Sequence, residues 1–139
     1  MTTISNTINI KTKGDVDLVD ISGEIQKVVQ NSPVNNGIIN VFCSGATGAI
    51  TTIEYEPGLI KDFPAMLDRI APRSIPYEHH KTWNDDNGHS HCRASLLGPS
   101  LTIPFRNKKL SLGTWQQVIF VELDTRPRNR NLLCTIIGD

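Results

Sequence analysis

The sequence predicts a single α+β domain spanning residues 1–139. Three observations lead there. Some segments carry apolar residues at every second position and others at helical spacing. The two kinds do not alternate as regular β-α-β units, which disfavours a doubly wound parallel sheet. And a chain of 139 residues suits one hydrophobic core rather than two.

The elements follow in order. Thr3 to Ile10 reads as a strand, because Ile4, Ile8 and Ile10 share one parity. Lys13-Gly14-Asp15 is a turn. Asp20 to Gln30 sets Ile21, Ile25, Val28 and Val29 at helical spacing, with Asp20 or Ser22 as the expected cap. Pro33 and the Asn35-Asn36-Gly37 turn signal end that helix. Gly37 to Cys43 is a short apolar run rich in β-branched residues, the pattern of a buried strand. Ser44 to Gly48 is a loop of small residues, and Ala49 to Tyr55 the next strand.

Leu59 to Ile70 presents Leu59, Ile60, Phe63, Met66, Leu67 and Ile70 on one helical face; Pro64 sits near the first turn or splits the segment. Ala71 to Ser90 is the most polar and least regular stretch. Cys92 to Leu97 fits a short helix or a buried strand, stopped by Gly98-Pro99. Leu101 to Phe105, Leu110 to Leu112, Gln116 to Leu123 and Asn131 to Ile137 read as strands, the first two joined as a hairpin through Arg106 to Lys109.

Composition narrows the function classes. Hydrophobic residues make up 38% and charged residues 20% of the chain, the balance of a globular protein rather than a disordered one. The formal net charge is zero, so the basic excess of a nucleic-acid binder is missing, and no nucleic-acid partner is expected. The charges are unevenly spread: 5 basic and 8 acidic residues up to Ile70, then 9 basic and 6 acidic. No stretch has the length of a membrane span, and the N-terminus lacks a signal-peptide core, so a cytoplasmic protein with no membrane partner is expected. Cys43, Cys92 and Cys134 form no CxxC pair and read as small apolar residues.

The chemistry points to one stretch. All four histidines, His79, His80, His89 and His91, fall between positions 79 and 91, interleaved with Asp85 and Asp86. If the HxH segment is extended, the His89 and His91 rings point to one side, about 6.5 Å apart by strand rise. With a third imidazole from His79 or His80 they would form a Zn²⁺ site of three ligands plus water. The metal-free alternative is general acid–base work, with a carboxylate orienting a histidine. Arg126, Arg128 and Arg130 alternate; their forks match phosphate oxygens, and alternate arginines also keep a strand edge soluble. Thr114, Trp115 and Gln116 offer an aromatic wall and two hydrogen-bonding side chains to a ligand, with Trp115 in the core as the competing reading. Glu54 and Glu56 share one side of a strand end, where a carboxylate could partner Mg²⁺ or an amine. The Ser44 to Gly48 loop could offer backbone N–H groups to a phosphate.

Four segments resemble a known family: AITTIEYEPG at 49–58, NGHSH at 87–91, ASLLGPSLTIP at 94–104 and LGTWQ at 112–116. In order and nearly along the whole chain, they are similar to the YjbQ family, described as secondary thiamine-phosphate synthase-like. The resemblance implies a compact α+β domain with a large mixed β-sheet and two to three helices, assembled as a homotrimer. It implies a weak transferase activity, joining an aminopyrimidine pyrophosphate to a thiazole phosphate.

Carried over by motif, Asp85, His91 and Glu54 are the catalytic candidates. His79, His89 and His91 are the implied shell of a divalent metal, Zn²⁺ or Mg²⁺. Thr114, Trp115, Gln116, Arg126 and Arg128 would hold a small phosphorylated metabolite. The chain departs from the family at Ser44 to Thr47, where many relatives carry a histidine, and at His80, where Asn is common. The competing readings are a metal-dependent phosphate-ester hydrolase and a non-catalytic trimer that binds a small anionic metabolite.

Overall fold

The computed structural model describes residues 1–139. Eight strands and four helices follow one another: β1 (Thr2–Lys11), β2 (Asp17–Asp20), α1 (Ser22–Asn31), β3 (Gly37–Cys43), β4 (Gly48–Ile53), α2 (Pro57–Ile70), α3 (Glu78–Trp83), α4 (Gly88–Leu97), β5 (Ser100–Arg106), β6 (Lys109–Leu110), β7 (Gln117–Glu122) and β8 (Asn129–Gly138). The α+β class holds. The strands form two sheets, five-stranded in the order β1-β8-β3-β5-β6 and three-stranded in the order β2-β7-β4. Every pairing is antiparallel, so two antiparallel sheets stand where one large mixed sheet was expected, and four helices where two to three were.

Strand alternation sets the layers. The inward residues of the large sheet include Ile39, Val41, Ile103, Phe105, Leu132 and Ile136, all at most 3% exposed. They pack on Ile25 and Val29 of α1 and on Ile50, Val118 and Phe120 from one face of the small sheet. The other face of the small sheet sends Ala49, Ile119 and Val121 against Leu67 of α2 and Ala94 of α4. Each fully buried aliphatic or aromatic side chain of this kind contributes roughly 1.5–3 kcal/mol.

The outer face of the large sheet has no such cover. Ile38 pairs with Ile137 and Phe42 with Leu133, and these four side chains are 37–45% exposed. Their neighbours on that face are Thr3, Ser5 and Thr7 of β1 and Ser100, Thr102 and Pro104 of β5, so the centre of the face bears no charge.

Local signals explain where the sequence reading departs from the fold. Pro64 lies inside α2 and the helix runs through it, starting earlier, at Pro57. Its cap is Glu56, whose carboxylate accepts from the N–H groups of Gly58 and Leu59. Ile21 takes the cap position of α1 without a side-chain bond, and Asp20, one residue earlier, accepts the Ser22 N–H at 3.0 Å. The Ser22 hydroxyl instead accepts from the Val118 N–H at 2.8 Å, tying α1 to β7.

The polar stretch from Ala71 to Ser90 holds α3 and the start of α4. No residue of α3 is buried, and those of α4 are Gly88, His89, Ser90, Arg93 and Ala94, so neither helix shows an apolar stripe. Asn84 closes α3 in the left-handed conformation, at φ 53°. The β5–β6 hairpin turns on Asn107 and Lys108, at φ 49° and 61°. Lys108 is held there by its N–H on the Asn35 carbonyl (2.9 Å) and its ammonium on the Ser32 carbonyl (2.6 Å).

Candidate active-site cleft

Three connections meet at one end of the two sheets: Ser44–Thr47 between β3 and β4, Asn84–Asn87 between α3 and α4, and Leu123–Arg128 between β7 and β8. They enclose a cleft of about 480 Å³. Its walls carry Asp85, Asp86, Asp124, Arg126, Arg128 and Arg130, and His91 from the first turns of α4. The cleft is far more polar than an ordinary ligand pocket, which is mostly apolar.

Under the cleft lies a buried ion pair. Glu122, fully buried at the end of β7, accepts from Arg130 Nε (2.8 Å) and Nη2 (2.5 Å). The Arg130 Nη2 also donates to Thr47 Oγ1 at 2.9 Å. Thr12 Oγ1 donates to Glu122 at 2.7 Å and the Asp124 N–H at 3.1 Å, so both carboxylate oxygens are fully used. Arg130 is pushed above its ordinary value: burial alone would lower it, but the hydrogen bond and charge of Glu122 outweigh that. Burial also pushes the neighbouring Cys43 thiol up, which keeps it an inert thiol.

Asp124 sits one layer nearer the surface. Burial pushes its carboxyl up, but hydrogen bonds from the Thr125 N–H, Arg128 and Asn87, with the charge of Arg128, hold it below the usual carboxylate range. Arg128 and Arg130 are therefore each matched by a carboxylate. Arg126, exposed on the cleft wall, makes no ion pair and is the arginine free to meet an anion. The N–H groups of Ser44, Ala46 and Thr47 in the facing loop have no acceptor within the chain.

The histidines divide by the geometry of α4. Two positions along a helix are about 200° apart around its axis. His91 faces the cleft, whereas His89 is fully buried with neither ring nitrogen bonded. Burial, helped by the charge of Arg93, holds His89 below the ordinary 6.5, so it is neutral. The His79 ring lies 4.5 Å from that of His91, tilted by 60°. Its Nε2 is 3.1 Å from Asn87 Oδ1 and 3.4 Å from Asp85 Oδ2. His80 is structural: its Nε2 accepts the Gly88 N–H at 3.1 Å at the start of α4.

Because the HxH segment is helical, His89 and His91 do not share a side, and His79, His89 and His91 do not surround one point. No group of three or more His, Cys, Asp or Glu side chains is placed to hold a metal ion. These residues do not fit a three-imidazole zinc shell.

The family model described as UPF0047 protein YjbQ-like matches residues 6–139. The chain belongs to the YjbQ family. A UPF0047 relative from Methanothermobacter thermautotrophicus is 40% identical over 93% of this chain and 88% of its own length. The crystal structure of a protein of unknown function from Sulfolobus solfataricus superposes with a TM-score of 0.93 at 33% identity, covering 99% of both chains. A YjbQ/UPF0047 family structure from Clostridium acetobutylicum reaches 0.86 at 36% identity, covering 95% of this chain and 99% of its own.

In this YjbQ chain the motif residues fall into two groups. Asp85, His91, Arg126 and Arg128 line the cleft, with His79 directly behind His91. Glu54, Thr114, Trp115 and Gln116 gather at the opposite end of the small sheet. There Gln116 Nε2 donates to Thr52 Oγ1 (3.4 Å), and Trp115 is 71% exposed. Since Gly48 pairs with Glu122 and Ile53 with Gln117, about 17 Å of strand separates the two groups. The sequence reading did not single out Glu122 or Asp124. The signal was present: from Glu122 through Arg130 every second residue is charged, two acids followed by three arginines, the pattern of a strand-parity ion-pair ladder.

Proposed function

We propose that the cleft belongs to a transferase acting on small phosphorylated metabolites, in the manner of thiamine-phosphate synthesis. The carrying observation is the grouping at the cleft: His91 faces it, His79 packs on the His91 ring, and Asp85 and Asn87 lie within reach of His79 Nε2. Imidazole is the side chain best suited to move a proton near neutrality. Arg126 and the unbonded amides of Ser44, Ala46 and Thr47 supply the donors a phosphate needs.

In the transferase reading, the C–O bond between the pyrimidine methylene and its pyrophosphate breaks, and the electron pair leaves with pyrophosphate. The thiazole nitrogen's lone pair forms the new C–N bond. His91 hydrogen-bonds to the departing phosphate oxygen and gives it a proton, while Arg126 offsets its charge. His79 orients the His91 ring. A positioned proton donor is worth roughly 100- to 10,000-fold in rate.

The test is product formation from the two phosphates, followed by chromatography, in the parent and in His91→Asn. Loss of at least about 100-fold with an unchanged melting temperature is expected. A folded His91→Asn protein working at the parent rate refutes the reading. Phosphate release without a thiazole acceptor replaces it with the hydrolase.

The uncharged outer face of the large sheet, with Ile38, Phe42, Leu133 and Ile137 exposed, supports assembly into a homotrimer through that face. Light scattering is expected to give three times 15.4 kDa, and Phe42→Lys to lower it; a parent of 15.4 kDa removes the proposal. No helix is long and apolar enough to cross a membrane. The exposed free thiol of Cys92 suits a reducing compartment such as the cytoplasm.

A further inference from the structure

Asn87 reaches His91 by two routes. Its backbone carbonyl accepts the N–H groups of Ser90 (3.0 Å) and His91 (3.3 Å), which winds the first turn of α4. Its half-buried side chain makes no capping bond to that helix. It turns into the cleft instead, between Asp124 and His79. An asparagine at a helix start ordinarily spends its side-chain oxygen on the helix N–H groups, so this diversion needs a reason.

The two neighbours allow the amide one orientation. Asp124 is 4% exposed and accepts from the Thr125 N–H at 2.8 Å and from Arg128, so it is an ionised acceptor and the Asn87 NH₂ must face it. The Asn87 oxygen is thereby aimed at His79 Nε2, 3.1 Å away, with Asp85 Oδ2 as a second acceptor at 3.4 Å. A ring nitrogen between two acceptors carries the proton, so His79 is fixed both in tautomer and in rotation. The His91 ring packs on that fixed ring, with centroids 4.5 Å apart.

We infer that Asn87 is the positioning residue of the cleft: its carbonyl places the backbone of His91, and its amide, anchored on Asp124, places the His91 ring through His79. Asn87 acts through His79 rather than on the reacting atoms. The bond between Asn87 and His79 is independent of the chemistry performed, whereas its effect on rate rests on the transferase reading of the cleft.

Asn87→Ser separates this role from support of the helix. Serine and asparagine serve about equally at a helix start, and the backbone carbonyl stays, so the melting temperature is expected within about 3 °C of the parent. The shorter side chain no longer spans Asp124 and His79. In the reaction assay kcat is expected to fall roughly 10- to 100-fold while KM stays within about twofold. His79→Ala removes the same support and, on a helix with no buried residue, leaves the core untouched. The double variant is expected to be no slower than His79→Ala alone, since both changes break one route. The bond itself is read by nuclear magnetic resonance of protein carrying isotopically labelled histidine. A proton on His79 Nε2, shielded from exchange with water in the parent and in His91→Asn, is expected to exchange freely in Asn87→Ser. Fully additive losses in the double variant, or a shielded proton that survives in Asn87→Ser, overturn the inference and leave the transferase reading standing. A parent without turnover whose His79 proton is shielded, and is released in Asn87→Ser, overturns the transferase reading and supports the placement of the ring by Asn87.

Discussion

Glu122→Gln is the substitution with the largest expected effect on stability. Glu122 is fully buried and its partner Arg130 is 6% exposed. Each carboxylate oxygen accepts from two donors: Thr12 Oγ1 and Arg130 Nε on one, Arg130 Nη2 and the Asp124 N–H on the other. Whichever way the glutamine amide is turned, its NH₂ meets two donors and the guanidinium loses its counter-charge.

Breaking a buried ion pair from one side costs about 3–5 kcal/mol. For a chain of this length that lowers the melting temperature by roughly 10–20 °C. Urea unfolding and thermal melts, followed by circular dichroism at one fixed protein concentration, read both quantities. The double variant Glu122→Leu, Arg130→Met is expected to lie nearer the parent than either single change, since it leaves no orphaned charge. A Glu122→Gln protein melting within about 3 °C of the parent refutes the reasoning, because so small a change is incompatible with a desolvated pair.

Two further outcomes are expected. His89 is held below 6.5 by burial, so the unfolded chain takes up its proton more readily than the folded one. Stability is therefore complete above pH 6.5 and falls as the pH drops below it, by about 1.4 kcal/mol for each unit of displacement, until the folded value is passed. Thermal melts across that range should show a gentler decline in His89→Leu, and an identical decline would count against His89 as its source. Metal removal should not touch stability: with no cluster of three donor side chains, dialysis against a chelator is expected to leave the melting temperature unchanged, and a loss that added zinc restores would contradict this.

The strands were legible because each buries one face. Gly37–Cys43 is read from the sequence with the bounds the structure has, since its β-branched run is packed on the inward side by Ile39 and Val41. Helix α3 and the first turns of α4 were not legible, and Cys92 to Leu97 reads equally as helix or strand, because what α4 buries is mainly polar: His89, Ser90 and Arg93 carry no hydrophobic period. The same blind spot misjudged the histidines. Clustering in sequence drew attention to the stretch, but a helix sends its first and third residues to opposite sides, so the HxH pair became one cleft residue and one core residue. The arginines show a different limit. Their spacing was visible, but which of them remains free depends on Glu122 and Asp124, and only the folded register shows that Arg128 and Arg130 are already matched.

The ion pair beneath the cleft has one member on each sheet: Glu122 closes β7 of the small sheet, and Arg130 begins β8 of the large one. It works as a rivet. The two sheets cannot slide or splay at this end without pulling a guanidinium from its carboxylate, and Arg130 fastens the Thr47 loop to the same point. The floor of the cleft is thus set before any molecule arrives. Selection among metabolites then falls to a mould of fixed depth, which accepts a molecule by its outline and has little room to adjust around one that is too large.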